Sequence, residues 1–76
     1  MRRRDGGRPI RDAMAAAGLG LQGVAALTRE LDGEGISYQL VGFLATSRDY
    51  GRDTTSERSA RLIEMALGVP SGSLFE

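Results

Sequence analysis

Apolar residues recur at three- and four-residue spacing in four separate stretches of this chain, and three of the four are closed by glycine. That period matches one face of an α-helix, and there is no run of alternating β-branched residues to compete with it. The chain has 76 residues. A single domain of that size buries only about 60% of the surface its unfolded form exposes. Hydrophobic residues make up 41% and aromatics only 5%, so the core is expected to be aliphatic rather than ring-lined. The predicted class is all-α.

Met1–Arg8 reads MRRRDGGR, with nothing apolar enough to order it, and residues 1–8 are expected to form a flexible basic arm before a domain over 9–76. Pro9 suits the first turn of a helix, where its missing N–H is not needed, and Ile10, Ala13, Met14 and Ala17 follow at helical spacing up to a Gly18 stop. Leu21, Val24, Ala25, Leu27, Thr28 and Leu31 mark a second helix, in which Gly23 costs about 1 kcal/mol relative to alanine. Asp32-Gly33-Glu34-Gly35 is a strong turn signal. Ile36, Leu40, Val41 and Leu44 define a third helix over about 36–46, with Ser37 as a candidate N-cap. Ala45–Asp53 loses periodicity. Thr54-Thr55-Ser56-Glu57 reads as a capping box for a fourth helix, which carries Ala60, Leu62, Ile63, Ala66 and Leu67 and stops at Gly68-Val69-Pro70. Ser71 is expected to cap a last single turn with Leu74 and Phe75, giving five helices.

Cysteine and histidine are both absent, which removes thiolate chemistry, disulfides, the commonest metal ligand and the commonest general base. No nucleophile–base pair, phosphate loop or convergent carboxylate cluster is present, so neither enzymatic activity, a cofactor nor a metal site is expected. No apolar run approaches the roughly 20 residues of a membrane span, and the expected location is the cytoplasm. The ten acidic residues are balanced by ten basic ones, all of them arginine. Zero net charge argues against a nucleic-acid partner and ten arginines argue for one. Position helps: residues 1–12 hold five arginines against Asp5 and Asp12, whereas Glu30, Asp32 and Glu34 gather in one turn.

The run Ile10–Leu19 ending Ala-Ala-Gly-Leu, the Val24-Ala25 pair, Ile36-Ser37, and the closing Ala66-Leu-Gly-Val-Pro70 with Leu74-Phe75 together resemble the lambda-repressor-like (Cro/CI, XRE-type) helix-turn-helix family, in the short form found in actinobacteria and their phages. The similarity spans Ile10–Phe75. It implies a compact five-helix domain whose second and third helices form the helix-turn-helix, with the third in the major groove of double-stranded DNA. Two departures stand out. The family's glutamine at the start of the second helix is replaced by Leu21, with Gln22 one step on, and the turn between helices 2 and 3 is extended.

The resemblance assigns DNA base contacts to Ser37, Tyr38, Gln39, Gly42 and Phe43. Gln39 can bond bidentately to adenine, Gly42 permits close approach to the backbone, and Phe43 can meet a thymine methyl. Equally, Ser37 can be only a cap, Tyr38 a half-buried aromatic and Phe43 a core residue. Gln22, Thr46, Ser47, Arg48 and Arg52 are candidates for the DNA backbone, although a loop holding Asp49 and Asp53 can also be merely solvated. Arg2, Arg3, Arg4 and Arg8 are candidates for an adjacent minor groove, or else for a disordered terminus. The expected function is a sequence-specific DNA-binding transcriptional regulator of repressor/Cro type. It would act as a homodimer, formed in solution or only on DNA and held through the Leu74-Phe75 turn or the exposed side of the fourth helix. The alternatives are a protein-interaction adaptor, antitoxin-like or regulator-binding, engaging a partner at the acidic turn Glu30–Glu34, and an excisionase-like architectural DNA binder.

Overall fold

Pro9, with φ already near helical values, opens α1 (Arg8–Ala17), which buries Ile10 and Met14 one turn apart. A Schellman motif ends it: the Gly18 N–H donates to the Ala15 carbonyl at 3.2 Å and the Leu19 N–H to that of Met14 at 3.0 Å. The remaining helices in this computed structural model of Met1–Glu76 are α2 (Leu21–Asp32), α3 (Tyr38–Ala45) and α4 (Glu57–Leu67). A short 3₁₀ turn, Arg4–Gly7, precedes α1. No strand is present, and no helix is long and apolar enough to cross a membrane.

The α2–α3 connection is built from its own side chains. Asp32 Oδ1 accepts the N–H groups of Glu34 (3.2 Å) and Gly35 (2.6 Å), and Arg58 of α4 pairs with the Asp32 carboxylate. At Gly35, φ is +67° and a Cβ would lie 2.7 Å from the Arg29 nitrogen, so only glycine lets the turn close on α2. Fully buried Thr28 bridges the two helices: its hydroxyl donates to the Ala25 carbonyl at 2.7 Å and accepts the Ile36 N–H at 3.0 Å. Ile36, predicted to be helical, instead precedes α3 as a buried residue, while Ser37 caps α3 as expected, accepting the Leu40 N–H at 3.1 Å.

Three expectations are corrected. The predicted mobile arm is paired on both sides. The Arg3 N–H donates to the Asp53 carbonyl (2.7 Å), the Thr55 N–H to that of Met1 (2.9 Å), and Arg2 exchanges two 2.8 Å bonds with Glu76. That pairing holds residues 53–55 extended, which displaces the predicted Thr54 capping box. The N-cap of α4 is Ser56, whose hydroxyl accepts the Ser59 N–H at 3.1 Å, and Glu57 is merely the first helical residue. The fifth helix is absent. Glu64 Oε2 takes the N–H groups of Gly72 (2.8 Å) and Leu74 (3.1 Å), and the Leu74 carbonyl accepts the Arg4 N–H (2.9 Å), so the last residues run as a turn and an extended end. Ile10, Val24, Val41, Leu44 and Ile63 form, with Phe75 as the one buried ring, the centre of a single apolar core.

Candidate functional site

α3 is only eight residues long, and its buried side carries Val41, Leu44 and Ala45. The opposite side is left bare. Tyr38 is 45% exposed and Phe43 38%, which removes the core reading for Phe43. Gln39 is exposed beside them. Phe43 is nevertheless held in place: Tyr50 of the following loop stands edge-on to its ring at 6.2 Å and 78°, and the Arg52 N–H donates to its carbonyl at 2.8 Å.

Two hollows flank this side of α3, with Tyr38 and Gln39 forming the ridge between them. The larger, about 640 Å³, is apolar and lies among α1, the start of α2, α3 and the Thr46–Tyr50 loop. Leu19, Leu21, Tyr38, Phe43 and Tyr50 line it, and Arg11 is also part of its wall. Gly42 forms part of its floor, where a Cβ would sit 3.1 Å from Leu21 Cδ1. The missing side chain of Gly42 admits Leu21 against α3. The smaller hollow, about 380 Å³, lies between α2 and α3 and is lined by Gln22, Arg29, Ser37 and Ala26, among others.

Neither hollow has an acidic residue in its lining, although the chain holds ten. The ion pairs divide the arginines into two sets. Arg3, Arg4, Arg8, Arg58 and Arg61 each have a carboxylate partner. Arg11, Arg29, Arg48 and Arg52 have none: two line the hollows and two belong to the loop that continues α3. Arg11 spends part of its guanidinium on the carbonyls of Gly6 (3.1 Å) and Ala45.

The candidate backbone-contact residues Thr46, Ser47, Arg48 and Arg52 thus fall together beside the exposed face, with the Thr46 hydroxyl accepting the Arg48 N–H at 3.2 Å. The arm residues do not join them. Arg3 is buried, its guanidinium donating to the carbonyls of Leu44 (3.0 Å), Phe43 (3.4 Å) and Thr46 and to Asp53 Oδ1 (3.2 Å). Arg4 bonds the Gly72 carbonyl (2.8 Å) and Glu76, Arg8 pairs loosely with Asp12, and only Arg2 stays exposed without a partner. The acidic turn is likewise partly satisfied internally, since Arg58 faces both Asp32 and Glu34. Leu74 and Phe75, expected as a dimer contact, are buried at 3% and 0% exposure.

Sequence reasoning missed Arg11, Arg29 and Tyr50. For Arg29 a signal existed: Gln22, Ala26 and Arg29 fall at i, i+4 and i+7 on α2 and share one hollow. Arg11 and Tyr50 carry no such signal, because only the packing of α1 and the loop around α3 brings them there. Comparison with protein families, characterised proteins and solved structures finds no match to this chain.

Proposed function

We propose that the protein is a sequence-specific regulator that binds double-stranded DNA, with α2 and α3 acting as a helix-turn-helix of the lambda-repressor-like kind and α3 entering the major groove. One observation carries this reading: Arg11 and Arg29, both without carboxylate partners, line the hollows on the bare side of α3, where no acidic side chain takes part, and Arg48 and Arg52 of the loop that follows α3 are also free of ion pairs. A polyanion is the complementary surface, and an eight-residue helix fits a groove about 12 Å wide. Gln39 on the ridge is the base-reading residue, suited to the N6 and N7 of adenine. Tyr38 and Ser37 adjoin it, and Gln22, Thr46, Ser47, Arg48 and Arg52 meet the phosphates.

A helix of this length reads few base pairs, so the acting form is a homodimer on half-sites about one helical turn apart. With Leu74 and Phe75 internal, Met65 on the exposed side of α4, 59% exposed, is the apolar residue left for that contact.

A protein-interaction module is the second reading, favoured by the apolar lining of the larger hollow. Charge decides between the two, because a purely apolar partner gives no reason to exclude acids from both hollows.

The test is selection from random duplexes followed by titration across salt. A preferred sequence should emerge, with affinity falling linearly on a logarithmic salt scale, and Gln39→Ala should flatten the preference more than it lowers affinity. Absence of DNA binding at about 50 mM salt, where phosphate contacts are strongest, overturns the proposal.

A further inference from the structure

We infer that the larger hollow beside α3 binds a small aromatic carboxylic acid, its ring against Tyr38, Phe43 and Tyr50 and its carboxylate on Arg11. This site is independent of the DNA-binding reading above. At about 640 Å³ the hollow falls within the roughly 300–1,000 Å³ of sites that take small molecules. Twelve residues line it, short of the roughly 20–30 on each side of a stable protein–protein interface. Its walls come from α1, the start of α2, α3 and the Thr46–Tyr50 loop, so an occupant sits between elements rather than across them.

The lining selects a flat apolar body. Three of its side chains are aromatic and offer both faces and edges, since Tyr50 stands at 78° to Phe43. Met14 adds a thioether, which makes favourable contacts with ring edges. Tyr50 and the Arg52 N–H hold Phe43, and Leu21 fills the space beside Gly42, so the hollow is formed before a ligand arrives.

Arg11 selects the acid. Of its guanidinium only Nη1 is spent, on the carbonyls of Gly6 and Ala45, and these neutral acceptors orient the group without cancelling its charge. Nε and Nη2 have no partner in the protein and, because no buried side-chain nitrogen is left unpaired, both are open to solvent. Those two donors form the fork that takes a carboxylate through two parallel bonds. Asp12, next to Arg11 on α1, faces Arg8, and Asp49, next to Tyr50, neither lines the hollow nor forms an ion pair. Tyr38, Gln39 and Phe43 also belong to the face proposed for DNA, so an acid in the hollow and a duplex on α3 exclude each other.

The probe is 1-naphthylacetate, compared with its neutral isostere 1-naphthylacetamide in NMR titrations of the intact protein. The acid should bind with a Kd of about 1 mM or below and show ring-to-methyl NOEs to Met14 and Leu21. The amide should bind about tenfold more weakly. Arg11→Gln should erase that difference, and Tyr50→Ala, at a residue 62% exposed, should weaken both ligands about fivefold, with thermal melting to check that the variants fold. Equal affinity of the parent protein for acid and amide overturns the assignment to Arg11, and NOEs confined to other surfaces overturn the site. No binding of either probe sinks the inference whatever the duplex does. Binding of the acid where no duplex binds leaves it standing and removes only the DNA reading. Duplex affinity unmoved by saturating acid refutes the shared face. Self-association lost in Phe43→Ala, together with indifference to the acid, assigns the hollow to a second copy of the chain instead.

Discussion

Arg3 and Gly7 meet at the C-terminal end of α3, where both lie against the Leu44 carbonyl. α3 ends with the oxygens of Phe43, Leu44 and Ala45 exposed to whatever lies beyond, and the buried Arg3 guanidinium satisfies two of them together with that of Thr46. Gly7, with φ +86°, packs so closely that a Cβ would fall against the Leu44 oxygen and 2.9 Å from that of Ala45. Replacing Arg3 by methionine keeps much of the bulk but strands those acceptors, and should cost about 2–3 kcal/mol in urea unfolding. Arg4→Met, which breaks only an exposed pair and one carbonyl bond, should cost about 1 kcal/mol or less. Gly7→Ala combines positive-φ strain with a backbone clash, so its penalty should exceed the roughly 1 kcal/mol of strain alone. Equal unfolding midpoints for Arg3→Met and Arg4→Met would show that the arm is not anchored as described. None of this is visible in the string MRRRDGGR, where an arginine that will be buried looks like its neighbours and its partners lie some forty residues away.

Elements closed by local chemistry were legible and those closed by distant chemistry were not. Pro9, Gly18, Ser37 and Gly68 act within a turn of their own helices, and α1, α2 and α4 run close to where periodicity puts them. Thr54 and Ser71 carry equally good local signals, yet each is overridden by pairing with the N-terminal segment. Glu64 is the clearest case of an element set from afar: buried on α4, it organises the chain end by accepting from Gly72 and Leu74. Burial alone would push its carboxyl up, but the Arg61 guanidinium and the two backbone N–H groups outweigh that and hold it below the ordinary glutamate value. Asp32 is lowered in the same direction, chiefly by the Gly35 N–H. A carboxyl lowered in the folded state contributes stability that is complete above its unfolded value and is lost as pH falls through its folded value. The stabilisation from both groups should therefore be present at pH 7 and fade below about pH 4. Glu64→Gln should lower stability at pH 7 and flatten its fall on acidification, read from urea midpoints at pH 7, 5 and 3. A variant as acid-sensitive as the parent would mean that other carboxylates carry the dependence.

At the scale of the whole molecule, zero net charge is the sum of two different surfaces. Five arginines are neutralised at the arm, at the start of α1 and along α4, where they serve the fold, and four more make no ion pair: Arg11 and Arg29 in the hollows beside α3, and Arg48 and Arg52 in the loop that follows it. The sequence placed the binding charge on Arg2, Arg3, Arg4 and Arg8, because consecutive arginines are easy to see. Folding withdraws three of these and brings in Arg11, which no pattern in the sequence marks, and Arg29, which shares a helical face with Gln22 and Ala26. This distribution makes the last prediction. Each arginine that meets a phosphate contributes about 0.9 to the slope of log affinity against log salt. Arg29→Gln and Arg48→Gln should each reduce that slope by about one while leaving the preferred sequence unchanged. Arg8→Gln and Arg61→Gln remove the same formal charge from paired sites and should leave the slope within error. If all four substitutions lowered it alike, the response would be to total charge, and the sorting of the arginines into paired and unpaired sets would have no bearing on the proposed binding of DNA.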